Sequence, residues 1–218
     1  MTQIHEGQEV VRAGKSLEEA DTALIVIHGR GASAQSIIPL ARALDAERMA
    51  ILAPQAANIA HMPQWYPQRF TAPKAQNEPH LSSALNMLSQ LVQEVQDASI
   101  SADRLILSGF SQGACLTSEF AAQNPARYGG LLIFSGGLIG EGTSVSAGMY
   151  EGSLSGTPVF IGCSDRDPHI PLTRVQETTQ ILTSLGAEVT EKIYPNMAHT
   201  ITEDELVRAR EIVGRLQQ

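Results

Sequence analysis

The chain has little of what marks secreted, membrane-spanning or nucleic-acid-binding proteins. Its 218 residues include two cysteines and only 5% aromatic residues, and like charges form no long run. Two cysteines do not make a disulfide framework, so we expect Cys115 and Cys163 to be reduced, buried thiols. The most apolar window, residues 129–140, is too short to span a bilayer. The formal net charge of -8 argues against nucleic acid or an anionic membrane as the main partner.

Targeting and linker signals are also absent from the sequence. Residues 1–7 lack the basic region and apolar core of a signal peptide, so we expect a cytoplasmic protein without stable membrane insertion. Neither an internal repeat nor a Pro- or Gly-rich linker divides the chain. We therefore predict one domain over residues 1–218, a length that buries roughly 70% of the unfolded surface.

What the chain does have is an alternation of strand-like and helix-like segments. The predicted strands are 9–13, 23–27, 49–52, 105–107, 131–134, 157–162 and 188–194, and the predicted helices are 36–46, 82–98, 114–123, 172–185 and 203–216. Such alternation predicts an α/β fold, with a mainly parallel sheet and helices on both faces. In these sheets the active site lies beyond the carboxyl ends of the strands.

One predicted strand end carries the pattern of a nucleophile elbow. The strand 105–107 leads into Gly109-Phe110-Ser111-Gln112-Gly113, and a helix follows. In a G-x-S-x-G turn between strand and helix, the glycines relieve crowding around a strained serine whose hydroxyl stands clear of the sheet. Ser111 is therefore the candidate nucleophile, and the alternative is a serine in an ordinary glycine-rich turn.

A serine hydroxyl needs a base, and the base needs a carboxylate that orients it. His199 follows the strand 188–194 and can serve as the base. Asp165 and Asp167 both follow the strand 157–162, and the residues alone leave the choice between them open. Together with His169 they could instead form a metal site, but one loop supplies too few ligands, so we predict no metal.

The oxyanion of a tetrahedral intermediate needs at least two aimed donors. We assign one to the backbone N–H of Gln112, directly after the nucleophile. The other is the backbone N–H of Arg30, in the loop His28-Gly29-Arg30-Gly31, where glycines allow close approach to a ligand. The alternative is a glycine-rich turn that merely ends a strand.

Residues 53–80 form a long, proline-rich stretch with weak periodicity, which is typical of a lid or binding loop. We predict that its aromatic residues line an apolar acyl pocket beside the nucleophile. The predicted lining consists of Trp65, Tyr66, Phe70, Ile170 and Met197. The alternative is that the aromatics only pack the loop onto the body.

Several of these motifs follow one another along the chain in the order His28-Gly29-Arg30-Gly31, Gly109-Phe110-Ser111-Gln112-Gly113, Asp167 and His199. In this order, and over nearly the whole chain, the sequence resembles the phospholipase/carboxylesterase family of α/β-hydrolases, which includes the acyl-protein thioesterases. The resemblance implies a three-layer α/β-hydrolase fold, and it selects Asp167, which precedes Pro168-His169-Ile170-Pro171, as the triad acid. The thioesterases usually carry an apolar residue where Arg30 stands. The segment Trp65-Tyr66-Pro67-Gln68-Arg69-Phe70 looks more like a bacterial esterase branch.

We accordingly predict a serine carboxylic-ester hydrolase that acts on small or medium acyl esters through an acyl-enzyme. It needs no cofactor, its partner is a small-molecule ester, and the sequence allows a homodimer. The alternatives are an acyl-protein thioesterase or lysophospholipase, acyl transfer to an acceptor other than water, and a non-catalytic binding protein on the same fold.

Overall fold

The computed structural model describes residues 4–141, 145 and 147–217. Its main sheet has seven strands in the order β1-β3-β2-β6-β7-β8-β9, all parallel except β1 at one edge. The strands are β1 Val10–Gly14, β2 Ala23–Ile27, β3 Ala50–Pro54, β4 Asn58–Ile59, β5 Met62–Pro63, β6 Leu105–Phe110, β7 Gly130–Phe134, β8 Pro158–Ser164 and β9 Glu188–Tyr194. The helices are α1 Ala34–Ala43, α2 His80–Asp97, α3 Gln112–Gln123, α4 Leu172–Ser184 and α5 Glu203–Leu216.

The central strands are continuous apolar runs because helices cover both faces of the sheet. Along β2, Ile25 and Ile27 face one core, which α2, α3 and α4 complete. Leu24 and Val26 face the other core, which α1 and α5 complete. Period-two alternation therefore divides one hydrophobic strand between two layers of helices, as the predicted architecture requires.

Every predicted strand and helix is present, most of them with shifted boundaries. Helix α1 begins at Ala34, earlier than predicted, because Ser33 caps it through a reciprocal pair of hydrogen bonds with Ser36. Residues 53–80 are not wholly irregular: they hold the two-stranded β4–β5 ladder and a short 3-10 helix, Lys74–Asn77. Among the described helices, none combines the length and the hydrophobicity that crossing a bilayer requires.

The N-terminus of α5 carries a buried carboxyl group. Thr202 caps the helix, and its backbone N–H donates to Glu205 Oε2 at 2.7 Å. The other oxygen, Oε1, has no hydrogen-bond partner among the described residues and lies against Gly162 of β8. Burial raises the pKa of Glu205, and the hydrogen bonds from Thr202 offset this only in part.

The raised pKa of Glu205 predicts a stability change with pH. Because the folded state binds this proton more tightly than the unfolded state, the contribution of Glu205 to stability falls as pH rises through the raised pKa. Glu205→Gln keeps an oxygen for the Thr202 N–H and removes the titration. The melting temperature of Glu205→Gln minus that of wild type should therefore increase between about pH 5 and pH 8. A difference that is constant over this range would contradict the prediction.

Candidate active site

The turn between β6 and α3 holds Ser111 in a backbone conformation that residues other than glycine rarely adopt, with φ 56° and ψ -120°. A Cβ at Gly109 would overlap the carbonyl group of Gly113, and a Cβ at Gly113 would overlap the carbonyl oxygen of Ile27. The G-x-S-x-G spacing thus has a steric cause: α3 starts directly against the end of β2, and Ser111 projects from the junction.

Three side chains from separate strand ends form a continuous hydrogen-bonded chain. His199 Nε2 lies 2.8 Å from Ser111 Oγ, and His199 Nδ1 lies 2.6 Å from Asp167 Oδ2. The Asp167 side chain is fully buried, and its Oδ1 accepts from the backbone N–H groups of His169 and Ile170. This arrangement favours the tautomer with the proton on Nδ1, which leaves Nε2 free to accept the serine proton.

The structure brings Asp167, and not Asp165, to the imidazole. Asp165 Oδ1 instead accepts from the backbone N–H of Asn196 at 2.7 Å. That bond fastens the loop that carries His199 to the loop that follows β8. The two aspartates, between which sequence position alone could not decide, therefore have different partners. Asp165 supports the imidazole only indirectly, through the loop that carries His199.

His169 is a neighbour of the imidazole that sequence reasoning missed. It is exposed, as expected of a loop residue, but its ring meets His199 edge-on with centroids 4.9 Å apart. Phe110 packs on His199 as well, also at 4.9 Å. The only sign of this contact in the sequence is that His169 lies two residues after Asp167. At that spacing the Asp167 carboxylate accepts from the His169 backbone N–H and fixes the backbone of His169.

The loop after β2 lies against the elbow. A Cβ at Gly29 would come within 3.3 Å of Ser111 Cβ. His28 fixes this loop: its Nδ1 lies 2.7 Å from the Gly29 oxygen, its Nε2 accepts from the Ala56 N–H, and burial lowers its pKa. Among the described residues, no acceptor takes a hydrogen bond from the backbone N–H of Arg30 or of Gln112.

A cavity of about 380 Å³ opens beside Ser111. Its walls are Arg30, Tyr66, Pro67, Gln68, Arg69, Phe70, Ser111, Gln112, Cys115, His169 and Ile170. Of the residues predicted to line an acyl pocket, the structure brings Tyr66, Phe70 and Ile170 to this cavity, and it does not bring Trp65 or Met197.

Trp65 is fully buried behind the cavity wall, as the packing alternative describes. Its Nε1 donates to the carbonyl oxygen of His28 at 2.9 Å, and its ring packs on His5 and His28. Trp65 therefore joins the 53–80 stretch to the loop after β2. Position in a proline-rich loop cannot distinguish such a residue from one that faces a ligand.

The two cysteines do not compete with the serine. Burial raises the pKa of both Cys115 and Cys163 to about 12, so both thiols are protonated near neutral pH. In the described part of the chain, no three His, Cys, Asp or Glu side chains are grouped so that they could hold a metal ion.

The site can be compared with known proteins. The sequence model of a family described as phospholipase/carboxylesterase matches residues 6–215. Acyl-protein thioesterase 1 of Kluyveromyces lactis is 28% identical over 211 residues, which cover 90% of this chain and 92% of that protein. Its counterpart in Debaryomyces hansenii is 29% identical over 222 residues, covering 93% and 94%.

Solved structures agree with the sequence comparison. The crystal structure of a phospholipase/carboxylesterase from Dyadobacter fermentans superposes with a TM-score of 0.90 at 41% identity, covering 95% of this chain and 97% of that one. A Bacillus cereus carboxylesterase superposes with a TM-score of 0.78 at 20% identity, covering 98% and 97%. The predicted α/β-hydrolase fold is thus confirmed.

The steric account of the elbow predicts different outcomes for two glycine-to-alanine substitutions. Gly113→Ala should cost roughly 3 kcal/mol or more of unfolding free energy, because the new methyl group meets backbone that cannot move aside. The control, Gly214→Ala in α5, adds a methyl group in open space and should gain about 0.5–1 kcal/mol. Urea denaturation of both variants measures the difference, and equal effects would refute the steric account.

Proposed function

Because the chain belongs to the phospholipase/carboxylesterase family, whose members are serine hydrolases of the carboxylesterase and thioesterase type, we propose that it hydrolyses small and medium acyl esters through an acyl-enzyme on Ser111. The proposal is carried by the hydrogen-bonded chain from Asp167 through His199 to Ser111 at the wall of the cavity. Because members of the family are enzymes, catalysis is favoured over a non-catalytic binding protein on the same fold.

In the proposed mechanism, His199 removes the proton of the Ser111 hydroxyl as its oxygen attacks the ester carbonyl carbon. The carbonyl π electrons move to the oxygen, and the backbone N–H groups of Arg30 and Gln112 stabilise that oxyanion. His199 then gives its proton to the leaving alcohol as the carbon–oxygen bond breaks. Water cleaves the acyl-enzyme by the same steps, and Asp167 stabilises the imidazolium throughout.

The size and lining of the cavity support small and medium acyl groups. Its volume of about 380 Å³ lies near the lower end of the usual range for small-molecule sites. Tyr66, Phe70 and Ile170 supply apolar surface for the acyl chain. We therefore assign substrate binding to the 53–80 stretch, with Tyr66 and Phe70 as its contacts.

A thioester is the second candidate substrate, because the yeast relatives described above are acyl-protein thioesterases. The same attack on the carbonyl would release a thiol instead of an alcohol. Matched acyl groups on p-nitrophenol, on a lysophospholipid and on a thiol would rank the leaving groups by kcat/KM.

Replacing the nucleophile tests the mechanism. Ser111→Ala should lower p-nitrophenyl ester turnover by roughly 10⁴-fold or more with the fold retained, because no acyl-enzyme can form. Ser118→Ala is the control: the Ser118 hydroxyl lies on α3, the helix that follows Ser111, and donates to the Ala114 carbonyl. A fluorophosphonate probe should label wild type and Ser118→Ala but not Ser111→Ala. Wild-type turnover by Ser111→Ala would refute the assignment.

Two matched substitutions test the acid. In Asp167→Asn the side-chain oxygen is held by the His169 and Ile170 N–H groups, so the amide NH₂ faces His199 and forces the wrong tautomer. We expect kcat to fall roughly 10⁴-fold. In Asp165→Asn the amide oxygen still accepts from the Asn196 N–H, so kcat should stay within about threefold. Equal losses in the two variants would contradict the role of Asp167.

A further inference from the structure

The two residues whose backbone N–H groups we propose as oxyanion donors share a second property. Their side chains both bind the 64–68 segment at the cavity wall. Arg30 donates four hydrogen bonds to it: Nη1 to Gln64 Oε1 at 2.6 Å and to the Pro67 oxygen at 2.8 Å, and Nη2 to the Tyr66 oxygen at 3.0 Å and to the Gln68 oxygen at 2.6 Å.

The side chain of Gln112 contacts the same segment. Its Oε1 accepts from the Trp65 N–H at 2.9 Å, and its Nε2 donates to the Tyr66 oxygen at 2.8 Å. The carbonyl of Tyr66 is therefore shared by Arg30 and Gln112. One peptide group of the 64–68 segment therefore connects the two residues whose N–H groups stabilise the oxyanion in the proposed mechanism.

The partners of the Arg30 guanidinium are neutral oxygens, three of them consecutive backbone carbonyls. A guanidinium binds such a set only if the backbone is already curved around it, so the 64–68 segment and the side chain hold each other in place. Two further hydrogen bonds join the 28–31 loop to residues 63–65. The Gly31 N–H donates to the Pro63 oxygen at 2.7 Å, and Trp65 Nε1 donates to the His28 oxygen.

The 28–31 loop has a physical need for this support. It contains Gly29 and Gly31, and glycine peptides rotate more freely than others. An oxyanion donor is effective only when it already points at the place where charge develops. A loop with two glycines needs contacts from outside to fix the Arg30 N–H, and the 64–68 segment adds such contacts to the bond between His28 and Ala56.

We propose that Arg30 and Gln112 are positioning residues whose side chains clamp the 64–68 segment and thereby fix their own backbone N–H groups for the oxyanion. The oxyanion hole and the acyl-binding wall are then one hydrogen-bonded unit, and disturbing the wall disturbs the chemical step. This inference rests on the proposed function, because it assumes attack by Ser111.

Kinetics separate this role from a merely structural one. Arg30→Met keeps the backbone N–H and removes the side-chain donors. We expect kcat and kcat/KM for p-nitrophenyl acetate to fall together, by roughly 10- to 100-fold, with KM almost unchanged, because a misdirected donor costs less than a missing one. Arg30→Lys, which can bind some of the carbonyls, should fall between Arg30→Met and wild type. A rise in KM alone, or kcat within twofold of wild type, would overturn the proposal.

A tetrahedral mimic gives a second readout. With trifluoromethyl butanone, Ser111 Oγ forms a bond to the ketone carbon, the hydroxyl proton passes to His199, and the carbonyl electron pair becomes an oxyanion in the hole. The inhibition constant should rise by the same factor by which kcat falls. Unchanged inhibition of Arg30→Met by this ketone would count against the proposal.

Three further variants complete the test. Because the side chains share the Tyr66 carbonyl, Arg30→Met and Gln112→Met should together cost less than the product of their separate effects, and a fully multiplicative loss would contradict the shared clamp. Gln112→Met alone also carries the kinetic test should Arg30→Met fail to fold.

Arg42→Met, on the exposed face of α1, is the control and should keep wild-type kinetics. If Ser111→Ala abolishes turnover while Arg30→Met does not lower kcat, only the present inference fails; if Ser111→Ala keeps wild-type turnover, the proposed function fails.

Discussion

The close approach of α3 to the end of β2 is the constraint on which the site depends. Gly113 lies against the carbonyl of Ile27, so the chain has no room for a gradual exit from β6 and must turn sharply at Ser111. The same contact brings the start of α3 beside the 28–31 loop. One steric requirement thus accounts for the strained serine and for the helix N-terminus behind it.

Once the serine is fixed, hydrogen bonds to backbone groups orient its neighbours. The backbone N–H groups of His169 and Ile170 donate to the Asp167 carboxylate. The Asp165 carboxylate accepts from the backbone N–H of Asn196 and so fixes the loop that carries His199. Packing by Phe110 and His169 restricts the imidazole ring further. The three side chains of this hydrogen-bonded chain occupy loops, yet each loop is bonded to a neighbouring strand end or loop, which holds the three side chains in fixed positions.

The parts of this protein that follow short-range rules could be predicted from sequence. Periodicity and apolar runs gave the strands and helices, and G-x-S-x-G with the order of Ser111, Asp167 and His199 gave the candidate chemistry. The choice between Asp165 and Asp167 needed family resemblance, because both follow one strand and only three-dimensional placement separates their partners. Local patterns do not encode the position of Trp65 behind the wall, the ring of His169 beside His199 or the clamp formed by Arg30, because each depends on contacts across thirty or more residues of sequence.

The buried indole at the joint between the binding stretch and the 28–31 loop has a practical consequence. The chain contains a single tryptophan, whose Nε1 donates to the His28 carbonyl and whose ring packs at a tilt against the His28 side chain. The tryptophan fluorescence of this protein therefore originates from one chromophore, located where the cavity wall meets the 28–31 loop. The molecule carries its own optical reporter of that junction, without any label.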